Sequence, residues 1–460
     1  MKKLFLSLAL LAMVITGCSG NNTSTSGNAN NQATTPTATT STATNEQESK
    51  SDDEVVTVNF HSWHILENEN LSGVIAEFEN QHPGIKINYV PLVDNGDATA
   101  SMQKLDLLVA SGDALDVVVF PDTPKYNQRA AMGMLTNMDE LLAANNINVQ
   151  EDYKIDPTFE GSVYALPGKY VEYMVLLNKD HLDEANLPVP TDWTWDEFAE
   201  YAKALTKGEG ASKRYGAYFH NWAVFFNQAV VNQPTNSSFL KLDGTSNMDD
   251  PGFAKSLEIL NQTMNIDKSA YSYADVTSQK MHYRNVYSNQ TASMIPIGNW
   301  MVIEVGGNDN FNYEHKTVFA PYPKNNASDP SGYTSASADY YGIAAKSKHK
   351  EEAFTFIRWL TTEGIVFQGT QFPSWTKADL NTVVDNMMKF PKNPDLIDRE
   401  SLMHVLNNSK AGQAYMPAYQ AELESAFIEE AEVYLLGAQD LETTLANAKT
   451  KVQQLIDANN

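Results

Sequence analysis

Between Val55 and Phe120 the chain switches repeatedly between strand-type and helix-type patterning, and this alternation restricts the fold more than any other feature. Val55–Phe60 is rich in β-branched residues, and Leu71, Val74, Ile75 and Phe78 then recur at helical spacing. Pro83-Gly84 stops that helix, and Ile85–Val90 reads as a second strand. A further helix over about Met102–Ala110 ends at Ser111-Gly112-Asp113. The run Val117–Phe120 that follows is apolar throughout, as a strand covered on both faces of a parallel sheet must be. Strand, helix, strand, helix, strand predicts a doubly wound α/β unit, whose ligand lies beyond the carboxyl ends of its strands. Trp63 and His64 follow the first strand and Asp122 follows the third, so these residues are expected at a cleft.

The chain has 460 residues, too many for one ordinary core, so a second domain is expected. The stretch 163–205 marks the passage between them. Pro167-Gly168 reads as a break, Lys169–Tyr173 as a polar-aromatic run, and Met174–Leu177 as a short strand. Thr194 with Glu197 three residues on predicts a capped helix start, with Trp195, Phe198, Ala202 and Leu205 as its buried stripe. Tyr170, Glu172 and Tyr173 therefore precede a strand at the domain passage. An aromatic cluster follows (Tyr215, Tyr218, Phe219, Trp222, Phe225, Phe226), then a strand ending in Gly298-Asn299-Trp300. A strand at Tyr340–Ala345, a helix over Glu352–Thr361, a break at Phe372-Pro373-Ser374-Trp375 and a helical end from about Ala418 complete the pattern. No internal repeat is present.

The N-terminus has the layout of a signal peptide: Lys2 and Lys3, an apolar run Leu4–Val14, then small residues. That run is too short to span a bilayer, which takes about 20 apolar residues. Cys18, the only cysteine, closes the sequence Ile15-Thr16-Gly17-Cys18, which resembles the lipobox of bacterial lipoproteins, where the thiol is acylated. A lone cysteine also excludes an intramolecular disulfide framework. Residues 18–53 are then a lipidated cysteine and a Ser/Thr/Asn linker without aromatic residues, which is expected to be disordered and to act as a tether. Acidic residues outnumber basic ones, 57 Asp+Glu against 32 Lys+Arg, which argues against nucleic acid as a partner.

Several segments together resemble one family. They are Phe78-Glu79-Asn80-Gln81-His82-Pro83-Gly84-Ile85; Ala110-Ser111-Gly112-Asp113-Ala114-Leu115-Asp116-Val117, with Leu115 where proline is usual; Tyr164-Ala165-Leu166-Pro167 with Leu177-Asn178-Lys179-Asp180; Trp193–Phe198; and Ala353–Thr361. In order and spacing they are similar to the family 1 extracellular solute-binding proteins, the maltose-binding-protein-like, lipid-anchored receptors of carbohydrate ABC importers. The resemblance implies a two-lobed α/β fold of the periplasmic-binding type, each lobe a doubly wound sheet, closing on a ligand between the lobes. The lobes are expected at 54–167 with 324–371, and at 168–323 with 372–460. It implies binding without catalysis, no cofactor, a monomer, and separate permease chains as partners at the outer face of the cytoplasmic membrane.

Sugar recognition needs aromatic faces against the apolar face of a pyranose and carboxylates or amides against its hydroxyls. Asp122 and Glu172 are the carboxylate candidates, with a helix cap as the alternative role of each. Trp300 is the first choice as a stacking platform. Trp63, His64, Tyr170, Tyr173, Trp222 and Trp375 are further candidates, and Asp339 and Tyr340 flank an expected crossing as hinge or ligand residues. Three other readings fit parts of the pattern: a secreted glycoside hydrolase, a metal receptor using His61, His64 and Glu67, and a receptor for a peptide or polyol.

Overall fold

The computed structural model describes residues 55–459 apart from Asn68 and Asn95. The expected signal peptide, Cys18 and the linker lie outside the described residues. The first elements follow the sequence closely: β1 (Val56–Ser62), α1 (Leu71–Gln81), β2 (Ile85–Pro91), α2 (Ala98–Ser111), β3 (Val117–Phe120) and α3 (Thr123–Ala131). β1 pairs in parallel with both β2 and β3, as the alternation predicts. Burial drives the packing: Phe60 on β1 and Phe78 on α1 are both shielded from solvent and meet Phe356 at 5.3 and 4.9 Å between ring centres.

The next strand departs from the sequence reading. β4 runs unbroken from Ala165 to Asn178, straight through Pro167-Gly168. A proline donates no N–H and is tolerated in a sheet where the ladder is irregular. Pro167 sits opposite Tyr340, where the register shifts between Ala338 and Tyr340. Gly168 is required by close approach, since a β-carbon there would lie 2.5 Å from the Tyr341 ring.

Beyond β4 come α4 (Trp195–Leu205), β5 (Tyr215–Ala217), α5 (Pro251–Asn261), β6 (Ala292–Gly298) and β7 (Thr317–Ala320). The chain then returns through β8 (Ala336–Ile343) and α6 (Lys350–Trp359). It ends in α7 (Arg399–Asn408), α8 (Gln420–Leu435) and α9 (Leu441–Asn459). α4 begins with the expected reciprocal cap: Thr194 Oγ1 accepts from the Glu197 N–H, and the Glu197 carboxylate accepts from the Thr194 N–H. Trp195 is wholly buried beneath it.

The sheet path is β2-β1-β3-β8-β4-β6-β5, with β7 on the remaining side of β4. The sheet is mixed: β8 runs antiparallel to β3 and β4, and β6 and β7 run antiparallel to β4. Only the first half of β4, through Glu172, pairs with β8; from Tyr173 onward it pairs with β6 and β7. One apolar core gathers residues from Val58 to Leu166 and from Ala338 to Leu360. Two more flank the second half of β4, with Val175 and Leu177 facing one and Met174 and Leu176 the other. This alternation is what a strand buried on both sides must show. Two α/β lobes thus share a single strand.

Candidate functional site

The period-two alternation of β4 sorts the residues at its midpoint. Lys169, Val171 and Tyr173 fall on one side, and Tyr170 and Glu172 on the other. Glu172 is 2% exposed and accepts a hydrogen bond from Ser409 Oγ. Burial raises its pKa, with Ser409, Lys154 and Tyr170 pulling the other way. Lys154 stands 4.7 Å from the centre of the Tyr170 ring. Tyr170, 4% exposed, and Glu172 therefore belong to a buried cluster at the junction of the lobes and are separated from Tyr173.

On the other side, the second lobe presents an aromatic surface. Asn299, buried, donates its backbone N–H to Glu172 O (2.9 Å) and its Nδ2 to Tyr170 O (3.1 Å), which fixes the turn after β6. Trp300 follows. Its indole packs directly against Gly298, where a β-carbon would come within 1.7 Å of the ring. Tyr173 meets the same indole edge-on at 5.7 Å and 88°, and Trp222 lies 5.8 Å away on another side. Tyr173, Trp222 and Trp300 are each half-buried, so they combine into one partly open aromatic patch. One turn after Trp300, Glu304 forms a two-pronged ion pair with Arg284, which itself lies over Tyr283.

The first lobe supplies charge. His64 Nε2 lies 3.0 Å from Asp339 Oδ2, and Lys169 Nζ lies 3.9 Å from the same oxygen. Glu69 stands 3.9 Å from His64 Nε2 and accepts from Gln371. Burial works against the Lys169 ammonium, but Asp339, Glu69 and Glu304 outweigh it and raise its pKa. Glu304 belongs to the second lobe, so Lys169 marks the place where the charged wall and the aromatic patch meet.

The remaining sequence candidates take other positions. Trp63 packs against His64 at 4.7 Å and is 7% exposed. Asp122 is the N-cap of α3, accepting from Lys125 N and Nζ, and stays partly exposed. Tyr340 is wholly buried, stacked on Tyr126 at 4.8 Å and bonded to Thr123 Oγ1. Trp375 is bridged through its backbone to Tyr153, and its indole N–H has no partner among the described residues. Where α3 approaches the second lobe, Asn127 Nδ2 donates to Met416 O (2.7 Å), and burial raises the pKa of Glu424, with Asp122 adding to the effect.

Lys169, Glu69, Arg284, Glu304 and Glu424 were not among the sequence candidates. For Lys169 a signal existed: extending the strand back through Pro167 puts it in phase with Tyr173. The others come from distant parts of the chain and carry no local signature. A separate cavity of about 670 Å³ is lined by Asn232, Asp250, Lys255, Lys324, Asn325 and Asp329 among others. It has no aromatic side chain, and none of the candidates reaches it. Among the described residues no group of three or more His, Cys, Asp or Glu is arranged to hold a metal ion.

Two α/β lobes on a shared strand, with an aromatic patch and paired charges meeting at Lys169, define a two-lobed ligand-binding protein of the periplasmic-binding type. Residues 65–366 match the family model of the bacterial extracellular solute-binding proteins, and the chain belongs to that family. It is 24% identical over 334 residues to a multiple sugar-binding protein of Streptococcus mutans, a match covering 68% of this chain and 73% of the relative. Its fold is similar to that of a sugar transporter from Rhizobium etli in an open conformation, with TM-score 0.71 and 22% identity over 87% of this chain and 99% of the other. It is also similar to an ABC substrate-binding protein from Listeria monocytogenes in complex with cycloalternan, with TM-score 0.70 and 18% identity over 88% of this chain and all of the other.

Proposed function

We propose that this chain is the substrate-binding subunit of an ABC importer, that it captures a carbohydrate as an oligosaccharide, and that it delivers it to the permease by closing its lobes. The observation that carries this reading is the patch of Tyr173, Trp222 and Trp300 beside Lys169, Asp339 and Glu69. Aromatic faces suit the apolar face of a pyranose, and the neighbouring charged groups suit its hydroxyls. The sugar-binding relative and the cycloalternan complex support the same class of ligand. The lobes are taken as 54–167 with 324–371 and 168–323 with 372–460, a division supported by the separate apolar cores. Ligand contacting both lobes favours the closed form only by its differential affinity for that form.

Calorimetry with a panel of mono- and oligosaccharides is expected to find tight binding without turnover, and small-angle scattering at saturation should show compaction. Product release would favour the hydrolase reading, and tight binding of a peptide, polyol or metal alone would replace the carbohydrate. Unchanged scattering at saturation would sink the closure mechanism.

The N-terminal segment completes the proposal: acylation at Cys18 holds the receptor at the outer face of the cytoplasmic membrane on a tether of about 35 residues. Cells making the full chain should retain it in the membrane fraction, and Cys18→Ser should release it to the soluble fraction. Retention of the variant would refute lipid anchoring at this residue.

A further inference from the structure

The aromatic row does not end at Trp222. The His220 ring lies 4.5 Å from Trp222, and the His282 ring lies 5.9 Å from His220. His282 stacks on Tyr283 at 4.4 Å, and Tyr283 returns to Trp222 at 5.3 Å, so the four rings form one group. Both imidazoles are half-buried.

The surrounding hydrogen bonds fix which nitrogen of each ring carries the proton. The Tyr218 hydroxyl lies 3.1 Å from Met281 O, which can only accept, and 2.8 Å from His220 Nδ1; with its proton directed to the carbonyl, it accepts from Nδ1. His220 thus holds its proton on Nδ1 and keeps a lone pair on Nε2. His282 is the reverse: its Nδ1 accepts from the Arg284 backbone N–H (3.3 Å), which leaves the proton on Nε2. Neither Nε2 has a protein partner among the described residues. Burial, with His282 adding to it, lowers His220 to about 4, and burial and Arg284 lower His282, so both rings are neutral at neutral pH.

The pair therefore offers one acceptor and one donor on rings whose centres lie 5.9 Å apart. A hydroxyl, which donates and accepts at once, matches both groups. The spacing from Trp300 to Trp222 and on to His220 is, at each step, comparable to the length of one pyranose.

We propose that His220 and His282 form a hydroxyl-reading subsite that takes the sugar unit beyond those on the Trp300–Trp222 platform, so that the cleft favours longer oligosaccharides over short ones. The inference rests on the carbohydrate reading of the cleft. Its test is calorimetry on the mature protein with maltose to maltopentaose and xylobiose to xylopentaose, taking as reference the shortest sugar the wild type binds. His220→Ala and His282→Ala should leave that sugar within about twofold and weaken the longer members by about tenfold, the loss of one or two hydrogen bonds. His220→Gln, which keeps an acceptor, should recover part of the loss, and thermal melting shows whether each variant is folded. Equal losses at all lengths, or none at any, would overturn the subsite. So would tight binding of Zn²⁺ alone that His220→Ala abolishes. A wild type that binds no member of either series refutes the carbohydrate reading itself, and the subsite with it.

Discussion

Truncating Trp300 to alanine is expected to weaken carbohydrate binding by about 1–3 kcal/mol, the range found when an aromatic stacking surface is removed. The expectation rests on how the indole is held. The indole packs against Gly298, its ring centre lies 5.7 Å from that of Tyr173 and 5.8 Å from that of Trp222, and the side chain remains half-exposed. Gly298→Ala tests the same surface while leaving Trp300 itself in the sequence. Its added methyl would sit 1.7 Å from a Trp300 ring carbon, so the ring must swing off its seat. Calorimetry should therefore show losses of the same order for both variants, with melting temperatures confirming that each is folded. Wild-type affinity in a folded Trp300→Ala protein would make this residue packing and nothing more.

The second large effect concerns stability. Asp152 is 7% exposed and takes two cations, Arg358 Nη2 at Oδ2 and Lys377 Nζ at Oδ1, each at 2.7 Å. Arg358 also donates to Tyr153 Oη, which bonds Thr361, so the carboxylate ties α6 to the segment before β4. Asp152→Ala leaves Arg358 in place without its counter-charge. The expected cost is about 3 kcal/mol, the low end for breaking a buried pair, because Arg358 is 25% exposed. Lys377, 64% exposed, adds little.

The pH dependence has a definite sign. Burial alone would raise the Asp152 carboxyl, but Lys377 and Arg358 overcome it and hold the group below its ordinary 3.8. A depressed folded pKa stabilises the protein above the unfolded value and loses that contribution as pH falls through the folded one. Urea unfolding should show a constant gap between wild type and Asp152→Ala from pH 7 to about 5, narrowing below about pH 4. A gap that widened on acidification would contradict the ion-pair account.

How much of this was legible in the sequence depended on how local the signal was. The βαβαβ opening, the cap at Thr194 and the burial of Trp195 each arise from patterns a few residues long, and the fold keeps them. Pro167-Gly168 misled because both residues usually interrupt strands. Their tolerance here depends on a register shift in β8 and on the ring of Tyr341, more than 170 residues away. That error had a cost in the site: with β4 cut short, Tyr170, Glu172 and Tyr173 read as one group, whereas an unbroken strand turns Tyr173 away from the other two. Trp222 and Trp300 were legible as exposed-type aromatics after turns, but their meeting with Tyr173 was not. His64 and Asp339 were legible singly, but their meeting with Glu69 and Lys169 was not, since these residues come together only when the chain folds.

The unbroken β4 also bears on how the molecule moves. At its midpoint the Glu172 carbonyl is taken by Asn299 and the Tyr173 N–H goes to Ser335, so successive residues are gripped from opposite sides. A joint of this kind links the lobes by continuous, hydrogen-bonded backbone. Under the closure proposed above, rotation of one lobe against the other would have to twist this hydrogen-bonded ribbon together with the other chain crossings between the lobes. A ligand that shuts the cleft by that route would have to supply the free energy of the twist through its contacts with both lobes.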